Sequence, residues 1–141
     1  MVLLDTDHVS VLRFEQSPRA DALRKRLQAA AEPLATTVVT VEEKMRGWLA
    51  EIHRLADPHR QIPAYQQLHE RIEFFARWTV LPWDTAAAEL FLNLRQQGVR
   101  IGSMDLKIAC IALVHESPLL TRNPSDFGHV PGLRVENWTQ A

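Results

Sequence analysis

A single cysteine, Cys110, means that no disulfide can form within the chain, and no apolar run approaches the roughly 20 residues of a membrane-spanning helix. Acidic residues stand where a secretory signal would carry basic residues and then an apolar stretch, namely Asp5 and Asp7. Together these absences predict a cytoplasmic protein with no membrane segment. Charge of one sign is also missing. With 16 Lys and Arg against 17 Asp and Glu, the formal net charge is −1, so no basic field covers the whole molecule and any contact with nucleic acid has to be local. The 6 histidines are dispersed without the two-His or Cys-pair spacing of zinc sites, which argues against zinc. There is no internal repeat, low-complexity tract or linker. What remains is 141 residues, 46% of them hydrophobic, enough for one domain over 1–141 with a real core.

Short apolar runs alternate with helical periodicity. Val2–Leu4 predicts a buried strand, and a helix follows Asp7. Ser17 and Pro18 open a second helix through Leu23 and Leu27. Residues 34–39 read as a second strand, with Thr40 as the N-cap of a helix through Trp48 and Ile52 that ends before Asp57-Pro58. Beyond Pro63, the spacing of Tyr65, Leu68, Ile72 and Phe75 predicts an amphipathic helix. With its predecessor it would make a helical hairpin over about 41–78, an arm for partners. Residues 79–81 form a third strand, Asp84 caps a helix that Gly98 stops, and Ser103 caps a helix apolar on nearly every face. Strands at 119–121 and 133–135 complete the pattern. Alternation of this kind implies a parallel sheet in a three-layer α/β/α sandwich.

Acids occupy comparable places along this pattern. Asp5 closes the first strand, where the active sites of open α/β sheets gather, and a buried aspartate is costly unless it is paired, hydrogen-bonded or bound to a metal. It could instead cap the following helix, a role that Asp7 fits better. Glu43 lies three residues after Thr40, as in a capping box; against that reading, Gly47 one turn on costs about 1 kcal/mol relative to alanine unless close packing or access requires it. Glu42 is the competing acid. Asp105 shares a helical stripe with Ile108, Ala109 and Ala112, so it extends an inward face that the helix dipole alone does not explain. Asp126 lies in Thr121-Arg122-Asn123-Pro124-Ser125-Asp126-Phe127, which fits metal ligation through water and a plain turn equally well. If the acids converge, they form an all-oxygen cage for a hard cation, Mg2+ or Mn2+.

Four strings, in order, resemble the PIN-domain ribonucleases of the VapC toxin type: Leu3-Leu4-Asp5-Thr6-Asp7-His8, Thr40-Val41-Glu42-Glu43-Lys44-Met45-Arg46-Gly47, Ile101-Gly102-Ser103-Met104-Asp105-Leu106-Lys107-Ile108-Ala109, and Leu120-Thr121-Arg122-Asn123-Pro124-Ser125-Asp126-Phe127. The resemblance spans nearly the full length. It implies a parallel α/β/α sandwich, a magnesium or manganese site, RNA cleavage, a homodimer and inhibition by a cognate antitoxin. It assigns Asp5 and Asp105 as the principal metal acids, Glu43 as the third and Asp126 as the fourth, with Thr6, Thr121 and Asn123 in support. Lys44 departs from the pattern, since the residue after the second-site glutamate is usually apolar in that family; the choice between Glu42 and Glu43 stays open.

Two other functions fit parts of the chain. Leu4-Asp5-Thr6-Asp7-His8-Val9 also matches the aspartate-nucleophile pattern of haloacid-dehalogenase-like phosphatases, with Asp5 attacking phosphate and Asp7 as acid or base, although no late paired-acid motif follows. A catalytically silent PIN-like module that only binds is the third.

Overall fold

Strands that are apolar on both sides have no solvated face, so they pair in parallel beneath helices on each side. The computed structural model describes residues 1–140. Its strands are Val2–Leu4 (β1), Leu34–Thr37 (β2), Thr79–Leu81 (β3), Leu119–Leu120 (β4) and Val135–Glu136 (β5). They form one five-stranded sheet in the order β3-β2-β1-β4-β5, with every neighbouring pair parallel. The helices are Thr6–Phe14 (α1), Pro18–Ala30 (α2), Val38–His53 (α3), Pro58–Ala76 (α4), Thr85–Gln96 (α5), Ser103–Val114 (α6) and Pro124–Phe127 (α7).

Successive strand residues face opposite sides, and this splits the core in two. Leu3, Ala35 and Leu119 pack with Ala87 and Leu94 of α5 and with Leu106, Ile108 and Ile111 of α6. Val2, Leu4 and Leu120 pack with Val9 and Val11 of α1, Leu23 of α2, Trp48 of α3 and Phe75 of α4. The result is the expected α/β/α sandwich. Chain order runs from β1 outward to β2 and β3, then returns across β1 to β4 and β5. The order therefore reverses between β1 and β4, and the crevice outside the carboxyl ends of such neighbours is where open parallel sheets bind ligands.

Several helix boundaries follow the expected caps. Ser17 accepts from the Ala20 amide, Asp84 accepts from the Ala87 amide at 2.9 Å, and Gly98 adopts φ +89°, which suits a residue without Cβ. Other boundaries require correction. The second strand stops at Thr37, whose hydroxyl accepts the Thr40 amide at 3.0 Å, so Thr37 and not Thr40 caps α3. Val38 and Val39 read as strand by composition, yet the earlier cap hydroxyl claims them for the first helical turn. α4 begins at Pro58, capped by Asp57, and Pro63 lies inside it instead of before it. Proline at the first position needs no amide, whereas Pro63 removes one helical hydrogen bond on an exposed face. Ser103 is the first residue of α6, and Gly102 holds the cap position with no side-chain bond. The approach to α6 is held by Arg95, which donates to the Val99 and Ile101 carbonyls at 2.9 and 2.8 Å.

Helix α6 anchors the arrangement, with six residues buried from Leu106 to Ala112. Leu106 is 0% exposed. Leu106→Ala is expected to destabilise the fold by about 2–5 kcal/mol through lost burial and a residual cavity. The check is a lower urea midpoint with an unchanged slope.

Candidate active site

The carboxyl end of β1 delivers Asp5 directly into the first turn of α1. Its Oδ1 accepts the His8 amide at 2.8 Å, and the residue is 8% exposed. Asp5 is therefore the α1 cap. The expectation that Asp7 caps and leaves Asp5 free is corrected: Asp7 sits one turn-position further on, ion-paired with Arg122 at 3.3 Å. Capping uses one carboxylate oxygen of Asp5 and leaves Oδ2 for other work. Beneath it, the buried ring of His8 accepts the Trp138 amide through Nε2 at 3.3 Å, so in the neutral ring the proton rests on Nδ1, 3.5 Å from Asp5 Oδ1. Nδ1 makes no hydrogen bond.

Because α3 starts at Val38, Glu43 lies in its second turn and is no part of a capping box. Its Oε1 accepts from the Thr6 hydroxyl at 3.0 Å, which ties α3 to α1. Glu42 points elsewhere, exposed and bonded to Arg46 at 2.6 Å. Gly47 has no atom within 4 Å of where a Cβ would stand, so of the two expected reasons for a glycine there, close packing does not apply. Asp105 lies in the first turn of α6, half-buried, with Ile108, Ala109 and Ala112 buried beneath it on the same stripe.

Asp5, Glu43 and Asp105 line one cleft of about 380 Å³ together with Thr6, Asp7, Ser10, Lys44, Asn123 and Phe127. Burial is the main force raising the Glu43 carboxyl above its ordinary range, and the charges of Asp105 and Asp5 add to it. The Thr6 hydrogen bond pulls the other way. Asp105 is raised by burial first, then by the charges of Asp5 and Asp126. Asn123 lines the cleft, and Asp126 does not; exposed on α7, it accepts the Asn123 amide group through Oδ2. Thr121 is fully buried, and its hydroxyl accepts the Asn123 backbone amide at 3.0 Å. Cys110 is remote from this chemistry: burial pushes its thiol up to about 11.

Among the described residues, no three Asp, Glu, His or Cys side chains stand close enough together to hold a metal ion unaided. The donors are nevertheless all oxygen, partly desolvated and short of positive partners, which suits a magnesium-like ion that keeps several waters and leans on one or two carboxylates. Sequence reasoning missed the contributions of His8 and Ser10. His8 stands three residues after Asp5, the spacing at which a helical side chain returns to its cap, and that was the available signal.

The raised Asp105 pKa sets a sign for stability. The folded protein holds this proton more tightly than the unfolded chain, so stability is lost as pH rises from the ordinary aspartate pKa through the raised folded one. Asp105→Asn removes that penalty. Without divalent metal, its melting temperature at pH 7 is expected to exceed that of the parent, with the gap closing near pH 4, about the ordinary aspartate pKa. Thermal unfolding at the two pH values checks this, and a lower melting point at pH 7 would contradict it.

The chain is similar over nearly its whole length to several known proteins. Ribonuclease VapC2 of Rickettsia felis is 26% identical over 136 residues, which cover 96% of each chain. The crystal structure of FitAcB from Neisseria gonorrhoeae superposes with a TM-score of 0.73 at 25% identity, covering 100% of both chains. VapBC-5 from Mycobacterium tuberculosis, a member of the VapBC family of toxin-antitoxin systems, gives a TM-score of 0.57 at 27% identity over 96% of this chain and 95% of that one. The PIN domain family model matches residues 2–133, and the chain belongs to the PIN domain family.

Proposed function

We propose that this chain is a metal-dependent endoribonuclease toxin of the VapC type, acting in the cytoplasm and neutralised by a cognate antitoxin. The observation that carries the reading is the meeting of Asp5, Glu43 and Asp105 from three separate segments in one cleft outside the β1 and β4 ends. Similarity to Ribonuclease VapC2 and to a VapBC toxin-antitoxin structure supplies the substrate class and the partner.

In this reading Asp5, Asp105 and Glu43 line the site for Mg2+ or Mn2+, which would lean on one or two of them directly and reach the rest through its waters, with Asn123 at the rim and Asp126 adding charge from behind it. Such an ion, when bound, lowers the pKa of a water and offsets phosphodiester charge during in-line attack. The protein's own part is orientation. Thr6 aims Glu43, the α1 amide of His8 fixes Asp5, and Thr121 sets the loop that presents Asn123. The packed pair α3 and α4, over 38–76, serves as an arm for the antitoxin or a second copy of the chain in a homodimer; α4 leaves Ile62, Tyr65 and Ile72 exposed along it. The phosphatase alternative is disfavoured because Asp7, its acid or base, is ion-paired with Arg122.

Purified protein free of antitoxin is expected to cleave RNA with magnesium or manganese and to stop with chelator. Asp105→Asn should fold and lose cleavage, and Asp7→Asn should retain most of it. Thr6→Val should lower activity or metal affinity by about 10–100-fold, the usual loss on removing a residue that orients a ligand. Gel analysis of RNA ends checks all three. Folded protein that never cleaves would instead support the silent binding module, and phosphomonoester hydrolysis lost in both Asp5→Asn and Asp7→Asn would support the phosphatase.

A further inference from the structure

The cleft described above is a poor place to recruit a polyanion. It gathers carboxylates, and the whole chain carries a net charge of −1, so neither local nor global charge draws RNA toward it. Something beside the cleft has to supply positive potential.

Such a group stands at its rim. Phe14, the last residue of α1, is 49% exposed. Three cations surround its ring: Arg13 with Cζ 5.2 Å from the centroid, Arg71 of α4 at 5.4 Å and Lys44 of α3 with Nζ at 6.0 Å. Arg71 also lies 4.8 Å over Trp48, and Arg13 lies 5.4 Å over Phe74. Among the described residues, none of the three cations makes an ion pair; others such as Arg60, Arg100 and Lys107 make none either, but no other described ring gathers three cations. Aromatic faces offset part of the repulsion between like charges held this close, but they do not neutralise it. Lys44 joins the group to the cleft, because it follows Glu43, lines the same cavity and donates to the Ser10 hydroxyl.

We propose that Phe14, Arg13, Lys44 and Arg71 form a subsite for single-stranded RNA beside the carboxylate cleft, the cations pairing with phosphates while an unstacked base packs on Phe14. The subsite rests on the endoribonuclease reading. An exposed ring among unpaired cations is the combination that binds single strands without reading sequence, by stacking and charge together. Continuity with the cleft through Lys44 favours RNA over an acidic segment of a protein partner.

The test measures binding apart from cleavage. A short unstructured RNA oligonucleotide is titrated by fluorescence anisotropy against Asp105→Asn protein, in chelator and over a range of salt. Adding Phe14→Ala is expected to weaken binding about five- to a hundredfold, the range for loss of one base-stacking contact. Adding Arg71→Gln should reduce the slope of log affinity against log salt by about 0.7, one released counterion on a single strand. Phe14→Tyr and Arg71→Lys should restore affinity and slope respectively, which a general loss of structure would not. Lys25→Gln, on the exposed face of α2, should change neither. Unchanged RNA affinity and slope in both Phe14→Ala and Arg71→Gln overturn the subsite, and if the parent protein still cleaves RNA the nuclease reading stands. If those variants keep RNA binding and lose the antitoxin instead, the patch is a protein surface and the RNA assignment is overturned. A parent that neither binds nor cleaves RNA overturns both.

Discussion

Holding like charges together in a half-dry cleft is the constraint around which this fold is organised. Asp5, Glu43 and Asp105 come from β1, α3 and α6, and each raises the free energy of at least one of the others. Left to themselves, the three segments would separate or take up protons. They are held because each is anchored in a core that has no interest in the charges. β1 is buried on both faces, α6 is buried along most of its length, and α3 packs through Val39 on one side and Trp48 on the other. Rigidity on this scale comes from close packing, which does not deform continuously to relieve one unfavourable pair.

Backbone polarity lowers part of that cost. A parallel sheet sends each strand's carboxyl end toward the start of the helix that follows, so the amino ends of α1 and α3 lie on the same edge as the acids. The partial positive charge of a helix start favours a nearby carboxylate by about 0.3–1 kcal/mol. Asp5 benefits as the cap of α1 and Asp105 as a first-turn residue of α6. Glu43, a turn deeper in its helix, receives less from the dipole and depends on the Thr6 hydroxyl instead. The dual use of Asp5 follows the same logic. One oxygen completes the helix and the backing ring of His8 closes off the space behind it, with the far end of the chain at Trp138 holding that ring. The carboxylate cannot swing away without uncapping α1.

Much of this was legible in the residue pattern, and the failures have identifiable causes. The strands and their parallel pairing follow from short apolar runs between helical periods, and Ser17, Asp84 and Gly98 mark helix ends because each supplies a group or a conformation that its neighbours cannot. The boundary at Thr37 was not legible, since Thr37 and Thr40 are chemically equal caps and only the pairing length of β2 against β3 chooses between them. Pro63 misled for a related reason: proline is costly inside a helix, but tertiary packing of α4 against α3 outweighs one lost hydrogen bond. Among the acids, Asp5, Glu43 and Asp105 could be nominated from their positions, but not their meeting, because convergence is a property of the crossover from β3 back to β4. Asn123 lining the cleft while Asp126 stands outside it depends on one short turn of α7, below the resolution of any periodicity argument. The ring of cations on Phe14 draws on α1, α3 and α4 at once, and no local pattern announces it.

Sorting of charge in space, not its total, distinguishes this surface. Acids and bases are nearly equal in number, and some exposed ones neutralise each other at helical spacing, as Arg19 does with Glu15 and Arg46 with Glu42. Such pairs are worth little individually, but they remove background field. Two clusters of like charge stand out against this background: Asp5, Glu43 and Asp105 in the cleft and the cations around Phe14. Lys44 separates them, adjacent to Glu43 in sequence and donating to the Ser10 hydroxyl, and burial pulls its ammonium below the ordinary range. An apolar residue at that position would leave the carboxylate cleft without a positive neighbour on its α3 side. A lysine there sets a steep gradient of potential across a few ångströms, negative where a cation is wanted and positive where a phosphate would approach.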